Sequence, residues 1–98
     1  MKKSLDEIKD ILNRHSGELR EKYKITQLGI FGSYVRGEQR ISSDVDILVE
    51  IGEPVGLLRF VHIENMMSKL LQTKVDLVSK GGIRPELKER IINEVVYI

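Results

Sequence analysis

Ile30-Phe31-Gly32-Ser33-Tyr34-Val35-Arg36-Gly37 is followed, with ten residues between Ser33 and Asp44, by Asp44-Val45-Asp46-Ile47-Leu48-Val49-Glu50. The first stretch closes a run from Ile25 that is rich in strand formers and leaves the strand at a glycine. The second alternates. Val45, Ile47 and Val49 point to one side, Asp44, Asp46 and Leu48 to the other. Two strands are therefore expected over 25–31 and 44–50, joined by a short helix over 33–38 and a polar connector over 37–42.

Working outward, Ser4-Leu5-Asp6-Glu7 reads as a capping box. Leu5, Ile8, Ile11, Leu12 and Leu19 recur at helical spacing, predicting one helix to about Tyr23, weakened in its middle by Gly17. Gly52-Glu53-Pro54 is a turn. Leu57, Leu58, Val61, Met66, Met67, Leu70 and Leu71 mark a long helix to about Gln72, and Lys74-Val75-Asp76-Leu77-Val78 a third strand. After Gly81-Gly82, Pro85 suits the first position of a last helix with Leu87, Ile91, Ile92 and Val95 as its stripe. Val96-Tyr97-Ile98 reads alternatively as a short edge strand. Helices alternating with strands predict an α+β fold, a small mixed sheet covered by helices. No repeat or linker interrupts residues 1–98, which are expected to form one domain.

Composition narrows the class. With 41% apolar and 32% charged residues the chain reads as soluble and globular. A net charge of +1 argues neither for nor against nucleic acid, so any phosphate binding must be local. The absence of cysteine excludes disulfides and thiolate metal sites. Met1-Lys2-Lys3-Ser4 has no apolar stretch behind it, and no run reaches membrane-spanning length. The expectation is a cytoplasmic protein without a membrane partner.

An alternating strand sets Asp44 and Asp46 on one face, roughly 6 to 7 Å apart at Cα. Such carboxylates repel and raise each other's pKa unless a cation lies between them. Magnesium suits that place, since it takes one or two carboxylates together with substrate phosphates. The competing reading, a merely wet strand face, is weakened by the scarcity of aspartate in strands. Asp76 sits among apolar neighbours on another strand, so adjacent strands in register would bring three carboxylates together. Gly32 lets a ligand approach the backbone, and Ser33 opens a helix with a hydroxyl and free N–H groups. Arg36, one helical turn on, could pair with phosphate or remain a solvated surface arginine. A Gly-Ser pair alone is an ordinary turn; beside an Asp-x-Asp strand it points to phosphate with a divalent cation, the chemistry of nucleotide transfer.

Gly32-Ser33, the spacing to Asp44-Val45-Asp46, and the later Asp76 resemble the nucleotidyltransferase superfamily that includes DNA polymerase beta and the kanamycin nucleotidyltransferases. The phrase Gly32 to Glu38 and the ending Pro85-Glu86-Leu87 through Tyr97 are similar to its minimal members, the MNT antitoxins paired with HEPN-domain toxins. The similarity runs from about Ile25 onward; the N-terminal helix carries no signature. The resemblance implies a nucleotidyltransferase fold and a protein adenylyltransferase that moves AMP from ATP to a tyrosine of a HEPN ribonuclease. It implies that Asp44 and Asp46 hold two Mg²⁺ ions on the triphosphate. It implies too that Asp76 completes the site and helps accept the proton of the attacking hydroxyl, and that Gly32 and Ser33 meet the terminal phosphates.

Other residues carry less. Arg40 reads as surface, and Lys80 and Arg84 as weak candidates to approach a nucleotide. His15 and His62 lack partners at ligand spacing. Met66 and Met67 read as core, and Tyr34 as a base-stacking, packing or partner residue. A non-catalytic antitoxin acting by occlusion and a small-molecule nucleotidyltransferase remain as alternatives. Direct nucleic-acid binding is not expected, because no basic channel is visible. Homo- and hetero-oligomers are both left open.

Overall fold

The computed structural model describes residues 3–98. Ser4 caps α1 (Leu5–Arg14): its hydroxyl accepts from the Glu7 N–H at 3.1 Å while its own N–H donates to the Glu7 carboxylate at 3.2 Å. The single helix expected to reach Tyr23 is two. The chain breaks at His15 (φ −105°, ψ 10°), whose Nδ1–H donates to the Ile11 carbonyl at 2.9 Å, and resumes as α2 (Ser16–Tyr23). Asn13, His15, Ser16 and Gly17 are all poor helix formers. The bend lets Ile8 and Leu12 from one helix, and Leu19 and Tyr23 from the next, reach the same core.

The strands follow as β1 (Ile25–Phe31), β2 (Val45–Ile51) and β3 (Val75–Ser79), with α3 (Ser33–Arg36) between the first two and α4 (Leu57–Leu71) between the last two. β2 therefore starts one residue later than expected, leaving Asp44 just outside it. β2 and β3 run parallel, which requires a crossover, and α4 supplies it. After a short 3₁₀ turn (Lys80–Gly82) comes α5 (Pro85–Glu94), then β4 (Val96–Tyr97). Both readings of the C-terminal stretch hold in part: the helix stops at Glu94, Val95 caps it, and an edge strand pairs antiparallel with β1. The mixed sheet has the order β3-β2-β1-β4.

The two sheet faces differ. Leu28, Ile30, Val45, Ile47, Val75 and Leu77 point to one face and are buried against α1, α2 and α4. Met67 lies fully in this core with Met66 packed at its margin. The other face carries Phe31, Asp46, Leu48, Glu50 and Asp76, and α5 covers part of it. There Leu48 and Ile91 are buried outside the main core. Gly29 makes room for that cover: a Cβ on it would sit 2.5 Å from the Val95 side chain.

Candidate active site

Gly32 leaves β1 at φ +82°, ψ −152°, a conformation that favours glycine. A Cβ built there would lie 2.0 Å from Oδ2 of Asp46. The turn can therefore rest on the carboxylate only while position 32 has no side chain. Its carbonyl accepts from the N–H groups of Val35 and Arg36 at 3.0 and 3.2 Å, which starts α3 with Ser33 as first residue. α3 closes at Gly37 in the left-handed region. Tyr34 turns inward and is buried, so packing is its place.

Strand register does the rest. Phe31 pairs with Asp46 across the antiparallel ladder, and Asp46 pairs with Asp76 across the parallel one. The two aspartates stand side by side on the face away from the core. Asp44 flanks them, anchored where the Val45 N–H donates to the Lys74 carbonyl at 2.9 Å, with the Lys74 ammonium 3.8 Å from its carboxylate. Burial, followed by the charges of Asp76 and Asp44, pushes Asp46 up to about 6; Arg36 pulls it back and Glu94 adds to the rise. Such a group favours either a proton or a cation beside it.

Asp76 is held from behind. β3 is an edge strand, and its outward N–H groups are claimed by α4: Val75 donates to Ser68 Oγ at 3.0 Å and Leu77 to Glu64 Oε2 at 2.9 Å. The parallel ladder with β2 on one edge and these two α4 side chains on the other thus fix the backbone around Asp76. Among the described residues no three acidic or histidine side chains stand close enough, as placed, to enclose an ion. The donor set nevertheless suits a hard cation: three carboxylates, two of them cross-strand neighbours, with one driven up by burial and then by like charge.

Arg36 lies at the site and is engaged. Its Nη1 donates to Glu94 Oε1 from the end of α5, and its Nε lies 3.4 Å from Glu38. Arg90 adds a 4.0 Å contact to Glu94. Phe31, Gly32, Arg36, Asp46, Leu87 and Glu94 line a cavity of about 160 Å³. Other clefts, of about 240 and 440 Å³, touch none of the three aspartates.

The structure separates the remaining candidates from this point. Lys80 donates to Gln27 Oε1 at 2.9 Å and lies 3.7 Å from Glu50. Glu50 is four residues along β2 from Asp46, roughly 13 Å at the strand rise. Lys80 therefore serves the far end of the sheet. Arg84 is the N-cap residue of α5, and the Arg40 N–H donates to Ser43 Oγ at 2.8 Å within the connector. The His62 ring lies tilted beside that of Tyr23, with centroids 6.3 Å apart. Among the described residues no helix is long and apolar enough to cross a membrane.

Sequence reasoning missed Glu94, Arg90, Glu64 and Ser68. In the last helix the apolar stripe is the signal that the sequence offers. The i,i+4 spacing of Arg90 and Glu94 was visible, but nothing in it points to Arg36.

The profile of the nucleotidyltransferase domain matches residues 12–98. A Methanocaldococcus jannaschii protein that carries the name "Putative protein adenylyltransferase" is 48% identical over 97 residues, which cover 98% of this chain and 99% of that protein. The protein adenylyltransferase MntA of Thermococcus cleftensis is 44% identical over 95 residues, covering 97% and 96%. The fold also matches a chain in the structure of the tri-AMPylated Shewanella oneidensis HEPN toxin in complex with MNT antitoxin. The TM-score is 0.68 at 20% identity, covering 92% of this chain and 70% of that one.

Proposed function

This chain belongs to the nucleotidyltransferase domain family, and on that footing we propose that it is a protein adenylyltransferase antitoxin, transferring AMP from ATP to a tyrosine of a HEPN-type toxin. The carrying observation is the pairing of Asp46 with Asp76 directly beside the side-chain-free Gly32. That pairing sets acidic groups against a turn able to receive phosphate. The relatives' adenylyltransferase names, and the fold shared with a chain of a complex between an AMPylated HEPN toxin and an MNT antitoxin, support the choice of reaction and partner.

In this reading Asp44, Asp46 and Asp76 would hold Mg²⁺, whose chemistry is to neutralise the triphosphate and the charge that develops at phosphorus. Gly32 gives the terminal phosphates access to the backbone, and Ser33 meets them with its hydroxyl. Arg36 balances their charge. Asp76 orients the acceptor hydroxyl and helps take its proton as the oxygen attacks the α-phosphorus. The bond to the β-phosphate oxygen breaks, and pyrophosphate leaves on the side of Gly32 and Ser33. Residues 1–98 act as one catalytic domain in the cytoplasm, alongside the toxin.

The test is incubation with ATP labelled in its α-phosphate, Mg²⁺ and a purified HEPN partner, with the modified residue located by mass spectrometry. Label is expected on a partner tyrosine, lost on chelation and lowered about 10³-fold or more in Asp46→Ala. Inhibition of the toxin with no label transferred by the intact protein would replace this reading with occlusion alone.

A further inference from the structure

The guanidinium that a triphosphate would need already has an anionic partner. Glu94, only 13% exposed at its side chain, accepts from Arg36 Nη1; both residues line the cavity, and the Arg36 side chain is itself one-third exposed. The cavity they line, about 160 Å³, falls short of the roughly 300 Å³ at which small-molecule sites begin. A triphosphate seated at Gly32 and Ser33 would meet the Glu94 carboxylate as a like charge and as a rival for the same donor. Glu94 is also the last residue of α5; Val95 follows, then the two-residue β4, which pairs Tyr97 with Gly29 and Val96 with Ile30, and the Ile98 N–H donates to the Leu28 carbonyl at 2.9 Å.

We propose that Glu94 is a positioning residue that occupies the phosphate's place on Arg36, so that nucleotide binds only as the C-terminal helix releases that arginine. This rests on the nucleotidyltransferase reading of the site and adds to it. The pair sets nucleotide affinity, and it couples the filled site to the loosening of α5 and β4. The cost falls on binding rather than on the chemical step, because Glu94 bonds to Arg36, and its charge is the last and least of those acting on Asp46.

A double-mutant cycle tests it, with a non-hydrolysable ATP analogue and Mg²⁺ in titration calorimetry. Glu94→Gln is expected to tighten binding about fivefold, the scale of a partly exposed ion pair. KM for ATP should fall by a similar factor, with kcat within about twofold. Arg36→Ala should weaken binding, and in that background Glu94→Gln should bring no further gain. Hydrogen exchange at the β1–β4 pairing gives a second measurement, and reports whether each variant is folded. Nucleotide should speed exchange there in the parent, and Glu94→Gln should show the faster exchange without nucleotide. Unchanged or weaker binding by Glu94→Gln, or a gain that survives loss of Arg36, overturns the proposal. If the parent binds and transfers normally while Glu94→Gln binds no tighter, the role given to Glu94 alone is wrong. A parent that binds no nucleotide overturns both it and the reading beneath it.

Discussion

On one side of β2, Val45, Ile47 and Val49 are at most 1% exposed and packed with Ile63, Met67 and Leu71. On the other side the same seven-residue strand sets Asp46, Leu48 and Glu50, and only the middle one is buried. The packed side has nothing chemical to offer, yet it decides where the chemistry stands. Side chains alternate with a period of two, so a slip of one residue would bury Asp46 and expose Ile47. The cost of burying a carboxylate in that core rules the slip out. Apolar packing on one face thus serves as the register pin for the carboxylates on the other. Mutations on the two faces should accordingly separate stability from transfer.

The largest expected effect is on the packed face. Ile47 is wholly buried, between Ile30 on β1 and Leu77 on β3. Ile47→Ala should lower the unfolding free energy by about 3 kcal/mol through lost burial and the cavity left behind. For a domain of this size that moves Tm down by about 15 °C. Transfer measured well below the melting point should stay within about threefold of the parent, since no site group is touched. Denaturant titration alongside initial rates gives both numbers. Transfer lost from a fully folded variant would break the division between the faces.

Gly32→Ala should show the reverse. Its new Cβ would fall 2.0 Å from Oδ2 of Asp46, at a φ of +82° that other residues rarely adopt. Either Asp46 turns away or the turn moves, and transfer should fall about 10²-fold for a displacement near 1 Å. The backbone strain should cost about 1 to 2 kcal/mol of stability, less than the core substitution. Parent-like transfer in this variant would mean that contact between turn and carboxylate does not matter.

How much of this could be read from residues alone depends on how local each cause is. The strands were legible because a period of two and a terminal glycine are written within a few positions. Gly32, Asp46 and Asp76 could be singled out because aspartate amid Val, Ile and Leu contradicts its surroundings. The helix break at His15 was not legible: several weak propensities had to combine with the demand that Leu12 and Leu19 reach one core. Arg36 and Glu94 lie 58 residues apart, and their pairing exists only once α5 folds back over the open face. The clasp on β3 by Glu64 and Ser68 likewise needs the crossover helix to be docked first.

The smallest effect is the most diagnostic, because it concerns what the open face costs. Burial and the neighbouring Asp76 and Asp44 raise Asp46 from 3.8 to about 6. Below pH 3.8 the group is protonated whether the chain is folded or not, and it contributes nothing to the balance. As pH rises toward 6 the unfolded chain ionises first, so folding must forgo a favourable charge, and the destabilisation grows to its full size above that range. Asp46 is partly exposed, so solvent screening cuts the penalty to about 1 kcal/mol. Asp46→Asn should therefore raise Tm at pH 7.5 by about 4 to 8 °C without Mg²⁺ or nucleotide, a gain that fades as pH falls toward 4. The same variant should have lost transfer. Melting curves across that pH range decide the matter, and a variant less stable than the parent at neutral pH would mean that Asp46 holds the fold together rather than straining it.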